Sequence, residues 1–179
     1  MPKKVGILVG SLRKGSFTRQ VAKAASRLFP KDVELAFLEI GQLPLFNQDY
    51  DDEGRVPESY AAFRREVAGL DGVLIATPEY NRSTTAALKN ALDVASRPWG
   101  KNLWNGKPAA VISVSIGAIG GFGANHHLRQ SLAFLNMQPV QQPEAYIGNV
   151  ESLLEKDGGL KKDTVALLQS VVDALVKKL

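Results

Sequence analysis

The stretch Val5-Gly-Ile-Leu-Val-Gly-Ser-Leu-Arg-Lys-Gly-Ser-Phe-Thr-Arg19 decides how this chain folds. Val5 to Val9 reads as a buried strand. It runs straight into a loop of Gly, Ser and Arg, and a helix follows with Phe17, Val21, Ala24, Ala25 and Leu28 on one face. A strand, a polar loop and a helix in that order form a place to hold phosphate. The helix start offers unpaired N–H groups and the positive end of its dipole. Ser11, Ser16 and Thr18 add hydroxyl donors, and Arg13 adds a permanent cation. A surface turn that binds nothing is the plainer alternative.

Two better-known phosphate loops do not fit. Gly10 and Gly15 have the four-residue gap of a triphosphate loop, but Ser16 and Phe17 stand where that motif needs Lys and Ser or Thr. A dinucleotide fingerprint needs a glycine where Leu12 stands. The loop therefore suits one terminal monophosphate.

Outward from this unit the pattern alternates. Further strands are expected at Val33–Leu38, Gly72–Ala76, Ala109–Ser115 and, weakly, about Gln141–Ile147. Their short, continuous apolar runs suit strands covered on both faces. Helical spacing follows each: Tyr60, Phe63 and Val67; then Leu88, Ala91, Leu92 and Ala95; then Leu128, Leu132 and Leu135. A last helix is expected over about Leu160–Leu179, approached through Gly158-Gly159. Five such units mean an α/β fold with a parallel sheet between helices, as one domain over residues 1–179. The long connection from Gly41 to Val56 carries Pro44, Phe46, Asn47, Tyr50 and several acids. It reads as a site border or as an ordinary surface excursion.

Composition narrows the function. No cysteine is present among 179 residues, which excludes disulfides, thiolate metal sites and cysteine nucleophiles. No apolar run approaches the about 18 residues of a membrane span, and no signal sequence opens the chain, so a cytoplasmic protein is expected. The net charge of +4 comes from scattered lysines without a nucleic-acid motif. Neither nucleic acid nor membrane is expected as a partner.

Ligands of open parallel sheets sit beyond the carboxyl ends of the strands. Two more unusual loops fall there. Thr77-Pro-Glu-Tyr-Asn-Arg-Ser-Thr-Thr85 places a rigid proline, an aromatic and an amide before a helix. Tyr80 can stack on a planar ring, Asn81 can pair with ring N–H and C=O groups, and Ser83, Thr84 and Thr85 are candidate caps. Ser115-Ile-Gly-Ala-Ile-Gly-Gly-Phe-Gly123 holds four glycines in its last seven residues, suited to a flat ligand or to a hinge. His126 and His127 are adjacent, so on a helix they diverge and do not share an ion. No protein acid, base or nucleophile stands out. A bound cofactor would then carry the chemistry.

A monophosphate cradle with two ring-framing loops suits FMN. The chain resembles the flavodoxin-like NADPH-dependent FMN reductases, in their quinone and chromate reductase branch. The matching segments are Gly10-Ser-Leu-Arg-Lys-Gly-Ser-Phe-Thr18, Pro78-Glu-Tyr-Asn81 with Leu88-Lys-Asn-Ala-Leu-Asp93, and Ser115 through Gly121, within about Lys4 to Ile147. Thr18 stands where the family often has Asn, and Arg82 to Ala86 departs from its usual Ser-Pro-Gly-type helix entry.

The resemblance implies a flavodoxin-like three-layer sandwich with a five-stranded parallel sheet of order 2-1-3-4-5 and FMN at the switch point. It implies that Ser11, Arg13, Ser16, Phe17 and Thr18 hold the phosphate. Pro78, Glu79, Tyr80 and Asn81, with Ser115 and Gly117, would frame the flavin ring. It further implies hydride transfer from NADPH or NADH through FMN to a small-molecule electron acceptor, either a quinone or a flavin, azo dye or chromate. A homodimer or homotetramer is implied as well. The alternative is a flavodoxin-type electron carrier without an NAD(P)H site. Carriers of that kind often present a strongly acidic docking face, and this chain is basic overall.

Overall fold

The computed structural model describes residues 2–155 and 159–179. Its first strand, β1, spans Lys3–Val9 and leads to α1, Phe17–Ser26. Then come β2 (Val33–Phe37), a short α2 (Asp49–Asp52), α3 (Glu58–Ala68), β3 (Gly72–Pro78) and α4 (Ala86–Ala95). The second half holds β4 (Pro108–Val114), α5 (Phe122–Phe134), β5 (Gln138–Pro139), β6 (Ala145–Ile147) and α6 (Lys162–Val176). All pairings are parallel, in the order β2-β1-β3-β4-β5, with β6 also on β4. This is the flavodoxin-like order. The strand order reverses between β1 and β3, where the switch point lies.

Alternation along each strand builds two cores. Val5, Ile7 and Val9 of β1, with Leu74 and Ala76 of β3, face α1 and α6 through Val21, Ala25, Leu168 and Val172. Leu8, Val73 and Ile75 face the other way, onto Tyr60 and Phe63 of α3 and onto Leu88, Leu92, Leu128 and Leu132 of α4 and α5. Burial on both faces is why these strands read as continuous apolar runs. Trp104, fully buried, closes the second core by donating its indole N–H to the Leu92 carbonyl at 2.9 Å.

The fifth strand differs from its expectation. In place of one strand over 141–147, two short pieces lie along the same edge of β4. Gln138–Pro139 pairs with Pro108 and Ala109, and Ala145–Ile147 pairs with Ile112 to Val114. Pro139 and Pro143 have no N–H to give a ladder, and the chain leaves the sheet between the two pieces. The final helix is shorter than expected at both ends, and Gly158 of its approach lies outside the described residues.

The long connection after β2 is pinned down. Asn90 of α4 accepts from Phe46 N at 2.7 Å and donates to the Pro44 and Leu43 carbonyls at 2.8 and 3.3 Å. Arg64 of α3 grips Asp51 with two bonds of 2.6 and 2.8 Å. The excursion is therefore an ordered part of the fold.

Candidate functional site

The loop after β1 is shaped by its exit from the sheet. Gly10 N donates to Ala76 O at 2.8 Å, so the chain stays in register with β3 until it turns. The Thr85 hydroxyl holds the Gly10 carbonyl from the other side at 2.7 Å. Ser16 then caps α1, accepting from Arg19 N at 3.1 Å with extended backbone angles. That bond uses an oxygen lone pair and leaves the Ser16 O–H free to donate. Ser11 and Thr18 are nearly buried, 5% and 3% exposed, and both border the same cleft. Neither hydroxyl makes a hydrogen bond within the described residues, and no side-chain oxygen there is both buried and unpaired, so both oxygens open onto the cleft. Each can donate to a ligand that enters the cleft.

Arg13 completes this end. Its guanidinium donates to the Gly15 carbonyl at 3.0 Å and lies 5.7 Å from the centre of the Phe17 ring. The cation is thus folded back over the start of α1. The dipole of α1 and Arg13 carry the same sign, so only an anion can sit comfortably between them.

The loop after β3 forms a tight turn. Tyr80 and Ser83 exchange two backbone bonds of 3.0 Å each, and Asn81 and Arg82 between them have φ of 50° and 64°. Positive φ at both central residues is the signature of a primed hairpin turn, and Asn tolerates it well. The expected caps divide their work. Thr85 alone caps α4, accepting from Leu88 N at 3.3 Å. Thr84 meets Thr77 at 3.2 Å, and Ser83 meets His127 Nδ1 at 3.0 Å.

The loop after β4 is stiffer than its glycines suggest. Ser115 accepts from Gly117 N at 3.0 Å, and Gly117 O accepts from Gly120 and Asn149. Gly120 and Gly121 have φ of 65° and 77°, and a Cβ on Gly120 would meet the Tyr146 backbone at 2.7 Å. These two glycines let the chain turn sharply against β6 before α5 begins. On the outer side of that turn, His126 Nε2 and the Tyr146 hydroxyl are 3.0 Å apart. Burial, reinforced by Glu144, pushes the Tyr146 phenol up to about 12, so it keeps its proton across the physiological range. The two histidines thus turn to different partners.

The three loops meet at the carboxyl edge of β1, β3 and β4 around a cleft of about 190 Å³. Ser11, Arg13, Ser16, Phe17 and Thr18 line it from the first loop, Pro78, Glu79 and Tyr80 from the second, and Ser115 from the third. Asn81 and Gly117 do not line it. Asn81 sits exposed at the tip of its turn, and Gly117 lies two residues past Ser115. Val114, Ile116 and Val150 join the lining unforeseen. Val150 follows β6, so the carboxyl-edge rule applied to the last strand would have found it. A larger groove of about 780 Å³ runs between α4 and α5 past Lys89, Gln130 and Phe134. It includes no residue of the loop after β1 and lies on the outer helix layer. Among the described residues no cluster of His, Asp or Glu could hold a metal ion.

Residues 3–152 match the family model described as NADPH-dependent FMN reductase. A quinone reductase of Pseudomonas putida is 54% identical over 169 residues, covering 94% of this chain and 90% of that protein. A 2-hydroxy-1,4-benzoquinone reductase of a Burkholderia species is 48% identical over 174 residues, covering 97% and 94%. Among solved structures, FerB of Paracoccus denitrificans, a flavoenzyme NAD(P)H:(acceptor) oxidoreductase, superposes with a TM-score of 0.90 at 40% identity, covering 98% of this chain and 96% of FerB.

Proposed function

Because this chain belongs to the NADPH-dependent FMN reductase family, we propose that the cleft at the carboxyl edge of β1, β3 and β4 is its FMN site. The chain is an NAD(P)H-dependent FMN oxidoreductase acting on quinones. The observation that carries the placement is the convergence of Ser11, Arg13, Ser16 and Thr18 on one cleft beside the start of α1. With the first N–H groups of α1 they form a donor set for a dianionic phosphate. The Phe17 ring lies under Arg13, and the Phe17 N–H is the first of those helix-start donors. Pro78, Glu79, Tyr80, Asn81, Ser115 and Gly117 belong to the ring end.

FMN held there would supply the hydride-carrying chemistry. The protein's own work is to bind, orient and expose. The phosphate donors fix one end of the cofactor. The rigid turn after β3 and the pinned loop after β4 fix the walls at the other. Tyr80 and Ile116 are 52% and 65% exposed on that rim, so planar partners can approach from solvent. No protein acid or base is needed for hydride transfer between stacked rings. Small quinones are the acceptors we favour, ahead of free flavins, azo dyes and chromate, in line with the activities named for the two bacterial relatives.

The purified protein is expected to be yellow, with one FMN per chain. Anaerobic NADPH or NADH should bleach it, and a small quinone should restore the colour. A colourless protein that takes up no added FMN would overturn the reading. A yellow protein that neither nucleotide bleaches would be an electron carrier.

We further read the molecule as a homodimer or homotetramer in the cytoplasm. A cleft open to solvent needs walls, and exposed Tyr80, Ile116, Ile119 and Phe122 around it are apolar surface for a second subunit to cover. The lack of cysteine suits a reducing compartment. No helix among the described residues is long and apolar enough to cross a membrane. Light scattering at assay concentration should give a dimer or tetramer mass, and a fully active monomer would refute the assembly.

A further inference from the structure

We propose that Glu79 is a positioning residue whose carboxylate ties the loop after β3 to the start of α5, and so sets the spacing of the two loops that frame the flavin. This rests on the FMN reading above.

The start of α5 lacks the usual help. Its N-cap is Gly121, which has no side chain to accept from the first turn. Glu79 supplies that acceptor from another loop. Its Oε2 accepts from Ala124 N, in the third position of the helix, at 3.1 Å. A carboxylate there also meets the positive end of the helix dipole. Its Oε1 accepts from Arg82 at 2.9 Å, which ties the carboxylate to the far end of its own turn. The Glu79 side chain is only 11% exposed, so its bond to Ala124 N is shielded, while Arg82, 73% exposed, pairs with it from the solvent side.

The packing around it is equally close. Gly123, in the second helical position, lies so near that a Cβ would meet the Arg82 carbonyl at 2.8 Å and Glu79 Oε2 at 3.0 Å. Only glycine lets the turn dock here. The loop on one side of this contact puts Pro78 and Tyr80 on the cleft, and the loop leading to α5 puts Ser115 and Ile116 there. A shift at Glu79 therefore changes the width of the ring end while leaving the phosphate end, on β1 and α1, in place.

That division gives the test. Dissociation constants of FMN and riboflavin are measured with the full chain, stripped of flavin, for wild type, Glu79→Ala, Glu79→Gln and Gly123→Ala. Glu79→Ala and Gly123→Ala should weaken both flavins by the same factor, roughly 3- to 30-fold, as expected for residues that act through a packed network. The visible absorption bands of the bound flavin should shift with them. Glu79→Gln should lose less, because its amide oxygen still accepts from Ala124 N. If Glu79→Ala does not fold, Glu79→Gln and Gly123→Ala decide by the same ratio. Unchanged affinity for both flavins overturns the proposal, as does a loss confined to FMN, which would put the effect at the phosphate. Wild-type protein that binds neither flavin overturns the FMN reading itself, and this proposal with it.

Discussion

Replacing Arg13 with alanine is expected to weaken FMN binding about 10- to 100-fold and to leave riboflavin binding unchanged. The residue lies in an exposed loop, and its contacts are the Gly15 carbonyl and the Phe17 ring. Its removal opens no cavity in either core. What is lost is one charge-assisted hydrogen bond to a dianion, about 1.5–3 kcal/mol. Binding does not vanish, because the first N–H groups of α1 and the hydroxyls of Ser11, Ser16 and Thr18 remain. Riboflavin has no phosphate and so is blind to the change. Salt sharpens the test. The wild-type preference for FMN over riboflavin should shrink as ionic strength rises, since Arg13 is open to counterions, and the mutant should show a weaker salt dependence. Equilibrium titration by flavin fluorescence reads both. A mutant that keeps wild-type FMN affinity would make Arg13 a surface charge, and the phosphate would have to bind elsewhere.

The sequence was most legible where one residue type does one job. Val5, Ile7 and Val9 can only be a buried strand, and Ser16 before Phe17 can only be a helix start, so the first βα unit lands within two residues of its expected bounds. The ring end was less legible because its parts work across loops. Nothing local marks Thr85, rather than Ser83 or Thr84, as the cap of α4. That choice is made by the Gly10 carbonyl, 75 residues away in sequence. Nor does Glu79 announce itself as a brace for α5, since its partner Ala124 offers only a backbone N–H. The fifth strand failed for a different reason. Gln141 to Ile147 reads as one weak strand, but Pro143 inside it has no N–H for a ladder, and only Ala145–Ile147 pairs with β4. The fold thus followed from apolar periodicity and chain order, which are local. Most residues lining the cleft were legible too; the hydrogen bonds that brace its loops were not, because only the folded chain brings their partners together.

Thr85 is where fold and site meet, and Thr85→Val should be among the most damaging conservative substitutions in the molecule. Valine keeps the shape and the β-branch but removes the hydroxyl. The native hydroxyl donates to the Gly10 carbonyl at 2.7 Å and accepts from Leu88 N at 3.3 Å, and the residue is 3% exposed. Valine leaves a buried carbonyl and the first turn of α4 without partners, and water has little room to replace the hydroxyl there. A lost cap costs about 1 kcal/mol and an unsatisfied buried carbonyl about 1–3 kcal/mol, so the sum is about 2–4 kcal/mol. For a chain of this size that lowers Tm by roughly 4–16 °C. Thr85→Ser is the control. It keeps both hydrogen bonds and loses one methyl group, so its Tm should fall by less than half as much. The functional consequence separates this residue from an ordinary core position. The Gly10 carbonyl opens the phosphate loop, so Thr85→Val should also weaken FMN more than riboflavin, in the same sense as Arg13→Ala. Scanning calorimetry of the flavin-free chain reads the first effect and flavin titration the second. Equal Tm values for the valine and serine variants would show that the Gly10 carbonyl finds another donor and that the loop is held in some other way.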